Sequence, residues 1–189
     1  MKYLKIIGLS LLLSCSNNLN KENKQSNEES LANTNTTSFK DVDSNVAMQL
    51  NQVIEHYIHL KNGMVASNSA EAKAGAKGML DAITAIDTLK LTHDQKKTYN
   101  ELIGKIKENA SRIMGSEDIE KQRGHLNPLS ENTFNLIKTF GSSKAVYYEF
   151  CPMANDSKGG HWISETEEIK NPYFGDDMLS CGEVKETVK

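Results

Sequence analysis

The sequence predicts a mainly α fold: an antiparallel four-helix bundle, then a small C-terminal β-hairpin and loop segment carrying Cys and Met motifs. Three observations lead there. Between Val46 and Phe140 apolar residues recur at steps of three and four, the period of a helix face. Helix-start residues and a glycine stop punctuate that stretch at short intervals. After Gly141 the pattern changes to β-branched and aromatic residues separated by turn formers.

The chain opens with Lys2 and Lys5, the apolar run Ile6 to Leu13, and then Leu12-Leu13-Ser14-Cys15. That run is too short to span a bilayer, which takes about 20 residues. A basic start, a short apolar core and a small-residue exit are those of a cleaved signal peptide, residues 1–14, ending in a lipobox. Cys15 is then the lipidated first residue of the mature protein. More than one acyl chain there anchors it stably, at ~0.8 kcal/mol per buried methylene. The expected location is the cell envelope, and Ser16, with no acid after the cysteine, points to the outer membrane, facing the periplasm. Residues 15–44 are rich in Asn, Ser, Thr, Lys and Glu with isolated Leu19, Leu31 and Phe39, too few to offset chain entropy. They read as a flexible tether spanning roughly 30 Å. Loss of the leader takes the chain from 22 basic against 25 acidic residues to 20 against 25, a balance that excludes a nucleic-acid footprint.

Residues 45–189 form the single expected domain, with 142–189 as its Cys/Met-rich end. Val46, Leu50, Val53, Ile54, Tyr57 and Ile58 line one face of a first helix. Ser67 to Ser69 offer caps for a second, whose stripe is Ala72, Ala76, Met79, Ile83 and Ile86. Thr92 and Gln95 make a capping-box pattern ahead of Tyr99, Leu102, Ile103, Ile106, Ala110 and Ile113, the third. Ser116, with Glu117 and Asp118 in a positive first turn, starts a fourth that runs through Ile119, Leu126, Leu129, Thr133, Leu136, Ile137 and Phe140 to a stop at Gly141. Pro128 inside that run predicts a kink or break. Short connections between amphipathic helices favour antiparallel neighbours. Beyond them, Lys144 to Phe150 reads as a strand and His161-Trp162-Ile163-Ser164 as a second, with turn formers at 155–160 between.

The chemistry-bearing residues lie in this last part: Cys151-Pro152-Met153 after the first strand, and Met178-Leu179-Ser180-Cys181-Gly182 near the end. In extended chain, residues two apart face the same way, so Cys151 and Met153 can converge; Met178 and Cys181, three apart, converge on a helical turn. Thiolate with thioether favours a soft ion, Cu(I) or Ag(I), over Mg, Ca or Mn. His161 is a secondary candidate ligand, and Trp162 a shield against water. An exported domain with two cysteines beyond its lipid cysteine also makes a single disulfide in the simplest case, closing a loop of about 30 residues worth ~3–4 kcal/mol. Both alternatives stand on sequence. His56 and His59 lack a third partner, and His93 and His125 have no nucleophile grouped with them. Without Gly-x-Ser-x-Gly, a phosphate loop or a haem motif, no enzyme is expected.

Tyr148-Glu149-Phe150-Cys151-Pro152-Met153-Ala154, Trp162-Ile163-Ser164 and Ile169 to Gly182, together with Ile119 to Arg123 and Leu129-Ser130, resemble the domain of unknown function 3347 (DUF3347) family. Such domains occur as lipoproteins of Bacteroidota-type bacteria and attached to periplasmic adaptor subunits of heavy-metal efflux pumps. The resemblance implies copper or silver handling in the envelope, a heavy-metal efflux adaptor as partner, and Cys151, Met153, Met178 and Cys181 as ligands. At His161 the family more often has an aromatic or small polar residue. The expectation is therefore a metal-binding envelope lipoprotein for sequestration or delivery, the alternative a disulfide-stabilised protein-interaction module that binds no metal.

Overall fold

The computed structural model describes residues 38–188. The predicted signal peptide, Cys15 and all but the last residues of the predicted tether lie outside them. The described chain is mainly helical with a small antiparallel sheet at its C-terminal end. Its elements are α1 (Ser44–Val65), α2 (Ser69–Thr84), α3 (His93–Met114), α4 (Ile119–Arg123), α5 (Leu126–Phe140), β1 (Val146–Cys151), β2 (Gly160–Ser164) and β3 (Glu183–Val188). No helix among the described residues is long and apolar enough to cross a membrane.

Side chains that satisfy free backbone donors start the helices. Asp43 accepts from the Asn45 and Val46 amides, and Asn68 from those of Ala70 and Glu71. Thr92 and Gln95 form the expected capping box. Asp118, two residues after the predicted Ser116, caps α4. The fourth predicted helix is divided, and the break falls at Gly124 and His125, ahead of Pro128. Pro128 is the third residue of α5, in the first turn, where the missing N–H has no intrahelical partner to lose. Gly141, at φ +88°, ends α5 as expected.

α1 packs on α2, α2 on α3, and α3 on α5. The α1–α2 contact is very close: a Cβ on Gly75 would collide with the Leu60 backbone nitrogen, and one on Gly63 would lie 2.5 Å from that of Ala72. The predicted stripes supply the core, with Leu60, Met64 and Phe134 added and Ile58, Leu102 and Ile119 only partly buried. Residues 38–43, assigned to the tether, are docked: Phe39 packs on Phe140 with ring centroids 5.4 Å apart, and its amide donates to the Thr139 carbonyl.

The sheet has three strands in the order β2-β1-β3, all antiparallel, where the sequence suggested a two-stranded hairpin. Register and alternation put Tyr148, Phe150, His161 and Ile163 on one face, and Glu149, Cys151, Gly160 and Trp162 on the other. The first face lies on α5, where Phe134 stacks on Tyr148 at 4.0 Å. Tyr57 ties sheet to helices: its hydroxyl accepts from the Ile163 amide (3.1 Å) and donates to Ser130 Oγ (2.6 Å), which donates to the Leu126 carbonyl. Residues of the 165–182 segment cover the second face, with Tyr173 edge-on to Trp162.

Candidate functional site

Cys151 ends β1 and is fully buried; Cys181 sits just before β3 and is partly exposed. No disulfide bond joins them in the structure, and their Sγ atoms lie 2.6 Å apart, well inside non-bonded contact. Asn171, buried within the covering segment, positions the second of them. Its Nδ2 donates to the Cys181 carbonyl (2.7 Å), its amide to the Leu179 carbonyl (2.8 Å), and its Oδ1 accepts from the Tyr173 amide. Gly182, at φ +152°, lets this segment lie flat on Trp162, since a Cβ there would stand 2.7 Å from the indole. The Trp162 ring is fully buried on the Cys151 face, against the residue that follows Cys181.

Both methionines reach Cys181 through their backbones. The Cys181 amide donates to the Met178 carbonyl at 3.0 Å, and the Met153 N–H faces the Cys181 thiol. Met178 lies at the end of a 3₁₀ turn (Gly175–Met178) and is partly buried, while Met153 is 49 % exposed. Met153 leads into three successive residues in the left-handed region, Asn155, Asp156 and Ser157, in which Asn and Asp are the side chains that best tolerate positive φ. Hydrogen bonding to Cys151, burial and the Cys151 charge push the Cys181 thiol up to about 11, against the Met153 N–H.

His161 is not with the sulfurs. It is on the opposite face of the sheet from Cys151, stacked on Tyr148 at 4.7 Å and packed on Phe150, with Nδ1 4.0 Å from Glu131. Burial holds its pKa below the usual imidazole value, with Glu131 opposing and Lys185 assisting. The secondary ligand role is set aside on this geometry: strand parity directs the ring away from the site.

Among the described residues no group of three or more His, Cys, Asp or Glu is placed to hold a metal ion, and the two cysteines form a pair. Two thiolates and thioethers suit a soft ion. Two thiolates each about 2.3 Å from a shared ion stand about 3.8 Å apart at a tetrahedral angle and about 4.6 Å in line, against 2.6 Å here. An ion between Cys151 and Cys181 thus requires the sulfurs to part.

The sequence reading overlooked a buried polar group beside the site. Glu149, two residues before Cys151 on the same face, is fully buried, and neither carboxylate oxygen has a hydrogen-bond partner; the same holds for the Trp162 indole N–H opposite it. Burial pushes Glu149 up to about 7, against the charge of Lys61 and with that of Glu165 assisting. Lys61 is itself only 2 % exposed, its Nζ 3.7 Å from Glu165, and burial lowers its pKa. A lysine four residues beyond Tyr57, on the line of the α1 apolar stripe, was the available sign.

Residues 53–145 match the family described as protein of unknown function (DUF3347). Over residues 53–145 the chain belongs to the DUF3347 family. The DUF3347 match runs from within α1 to the residue before β1, so it takes in most of the helices and none of the four sulfur residues. No curated protein and no solved structure matches this DUF3347 chain.

Proposed function

We propose that this protein captures a soft metal ion, Cu(I) or Ag(I), with the reduced thiols of Cys151 and Cys181, for sequestration or delivery to an efflux system of the cell envelope. The observation that carries this reading is the juxtaposition of two cysteine sulfurs 30 residues apart in sequence, at a partly exposed edge. Met178, whose carbonyl accepts from the Cys181 amide, and Met153, two residues after Cys151, would supply the thioethers. Their softness selects the ion, and methionine has no proton to lose, so only the two thiols compete with acid for it. In this reading the helices are a four-helix-bundle scaffold with no turnover chemistry. Lipid on Cys15 holds the protein at the outer membrane, and a heavy-metal efflux adaptor is the recipient.

Titration of the reduced chain with Cu(I), in a Cys15→Ser background, tests the proposal. The double variant Cys151→Ser, Cys181→Ser is expected to lose more affinity than the ~10- to 100-fold that removal of a supporting contact costs. Equal affinity in the two proteins overturns the site.

One observation favours a second reading, a disulfide-stabilised protein-interaction module: the sulfurs stand closer than a shared ion allows. Counting thiols in protein purified without reductant separates the two. Two reactive thiols that Cu(I) protects support capture, and none before reduction supports the module.

A further inference from the structure

Cys151 and Cys181 are in contact but differ in access: Cys151 is fully buried at the end of the central strand, under the segment that Asn171 and Gly182 hold against Trp162, whereas Cys181 is partly open to solvent. Thiol–disulfide exchange needs an approach to the reacting sulfur, and here an incoming molecule reaches one of the two. We propose that the pair is an ordered dithiol that exchanges with external disulfides, with Cys181 the entry sulfur and Cys151 the resolving sulfur. In the oxidising direction Cys181, whose raised pKa makes its thiolate a minor species at neutral pH, gives its proton to water and then attacks one sulfur of a partner disulfide, so the exchange quickens as pH rises. That S–S bond breaks, and half of the partner leaves as a thiolate. Cys151, already at Cys181, then attacks the Cys181 sulfur and expels the other half as a second thiolate. The two cysteines lose two electrons and two protons, and the partner disulfide becomes two thiols. In reverse, an external thiolate opens the pair at Cys181 and releases Cys151.

The geometry also sets what oxidation does. It joins the end of β1 to the residue two positions before β3 and removes both thiolates from the donor set of the proposed metal site. This regulatory consequence rests on the metal reading, whereas the order of exchange does not.

Oxidised glutathione, added without metal to the reduced full chain in the Cys15→Ser background, tests the order, with intact mass as the readout. Cys151→Ser is expected to accumulate a single glutathione adduct at least about tenfold faster than Cys181→Ser. The chain with both thiols is expected to pass to the internal disulfide without a lasting adduct. Urea-denatured samples of both single variants, reacting alike, establish that each remaining thiol is competent. Equal adduct rates in the two folded variants, or no adduct on folded Cys151→Ser, overturn the proposal. A far-UV circular dichroism spectrum matching the parent shows that each variant is folded, and Cys151→Ala and Cys181→Ala replace any serine variant that is not. Because no metal is present, the order of exchange can hold while the Cu(I) titration fails, and the reverse.

Discussion

Glu149 is a carboxyl group in a place that disfavours its charge, and this has a measurable effect on folding. Its pKa lies at about 7 in the folded chain against an ordinary 4.5. Between those values the unfolded chain gives up the proton while the folded chain keeps it, so stability is highest below pH 4.5 as far as this group is concerned and falls as pH rises to about 7. Each unit is worth ~1.4 kcal/mol, an upper bound of ~3.5 kcal/mol here, the opposing charge of Lys61 being already contained in the shift. Glu149→Gln is expected to flatten this slope and stabilise the chain at neutral pH, read from urea midpoints across that window. Tyr57→Phe tests the opposite kind of residue. It strands the buried Ile163 amide and is expected to cost about 1–3 kcal/mol by the same measurement. Single residues were unevenly legible in the sequence. Cys151, Cys181 and the methionines stand out by chemical type, but His161 was misread because the side-chain parity of β2 relative to Cys151 is fixed by register, which only the paired strands reveal. Glu149 and Lys61 look like ordinary solvated charges until burial is known.

For whole elements, the α1–α2 contact depends on the absence of side chains. Gly75→Ala sets a methyl group against the Leu60 backbone, which a rotamer change cannot relieve. It is expected to cost about 1–3 kcal/mol by overpacking, despite the better helix propensity of alanine. Removing the α2 cap with Asn68→Ala is expected to cost ~1 kcal/mol, and Thr92→Ala at the α3 capping box a similar amount, both seen as lower urea midpoints with unchanged slope. Helix starts were legible because caps and apolar periods are local signals. The division between α4 and α5 was misplaced by a few residues because a proline in a first turn and one in a helix interior look alike without knowledge of where the turn begins. β3 was missed for a different reason: Glu183-Val184-Lys185-Glu186-Thr187-Val188 has apolar residues four apart, not two, and mostly exposed side chains. Its strand character comes from pairing with β1, a long-range contact.

In the whole molecule, the helices and the sheet share one core, although the DUF3347 match stops between them. Arg123 makes the same point by hydrogen bonding: buried in α4, it donates to the Met64 carbonyl and Ser67 Oγ at the α1–α2 turn and to the Pro172 carbonyl in the segment over the sheet. A chain ending at residue 145 loses Trp162 and Ile163 from the core and the partners of Tyr57 and Arg123. It is expected to bind a hydrophobic dye and to melt without a cooperative transition, whereas the longer chain melts cooperatively; a sharp transition in the short form would show the helices to be self-sufficient. The docking of Phe39 on Phe140 has a consequence for how the molecule is held. β1 pairs Val146 with Val188 at one end and Phe150 with Glu183 near the other, and Lys138 of α5 reaches Glu186 on the Val188 side. The described chain therefore enters near the end of α5, while the thiols stand about 16 Å away along the strand. A grip on the chain ahead of Phe39 therefore acts near one end of β1, leaving the partly open Cys181 near the other, where it can meet what arrives by diffusion.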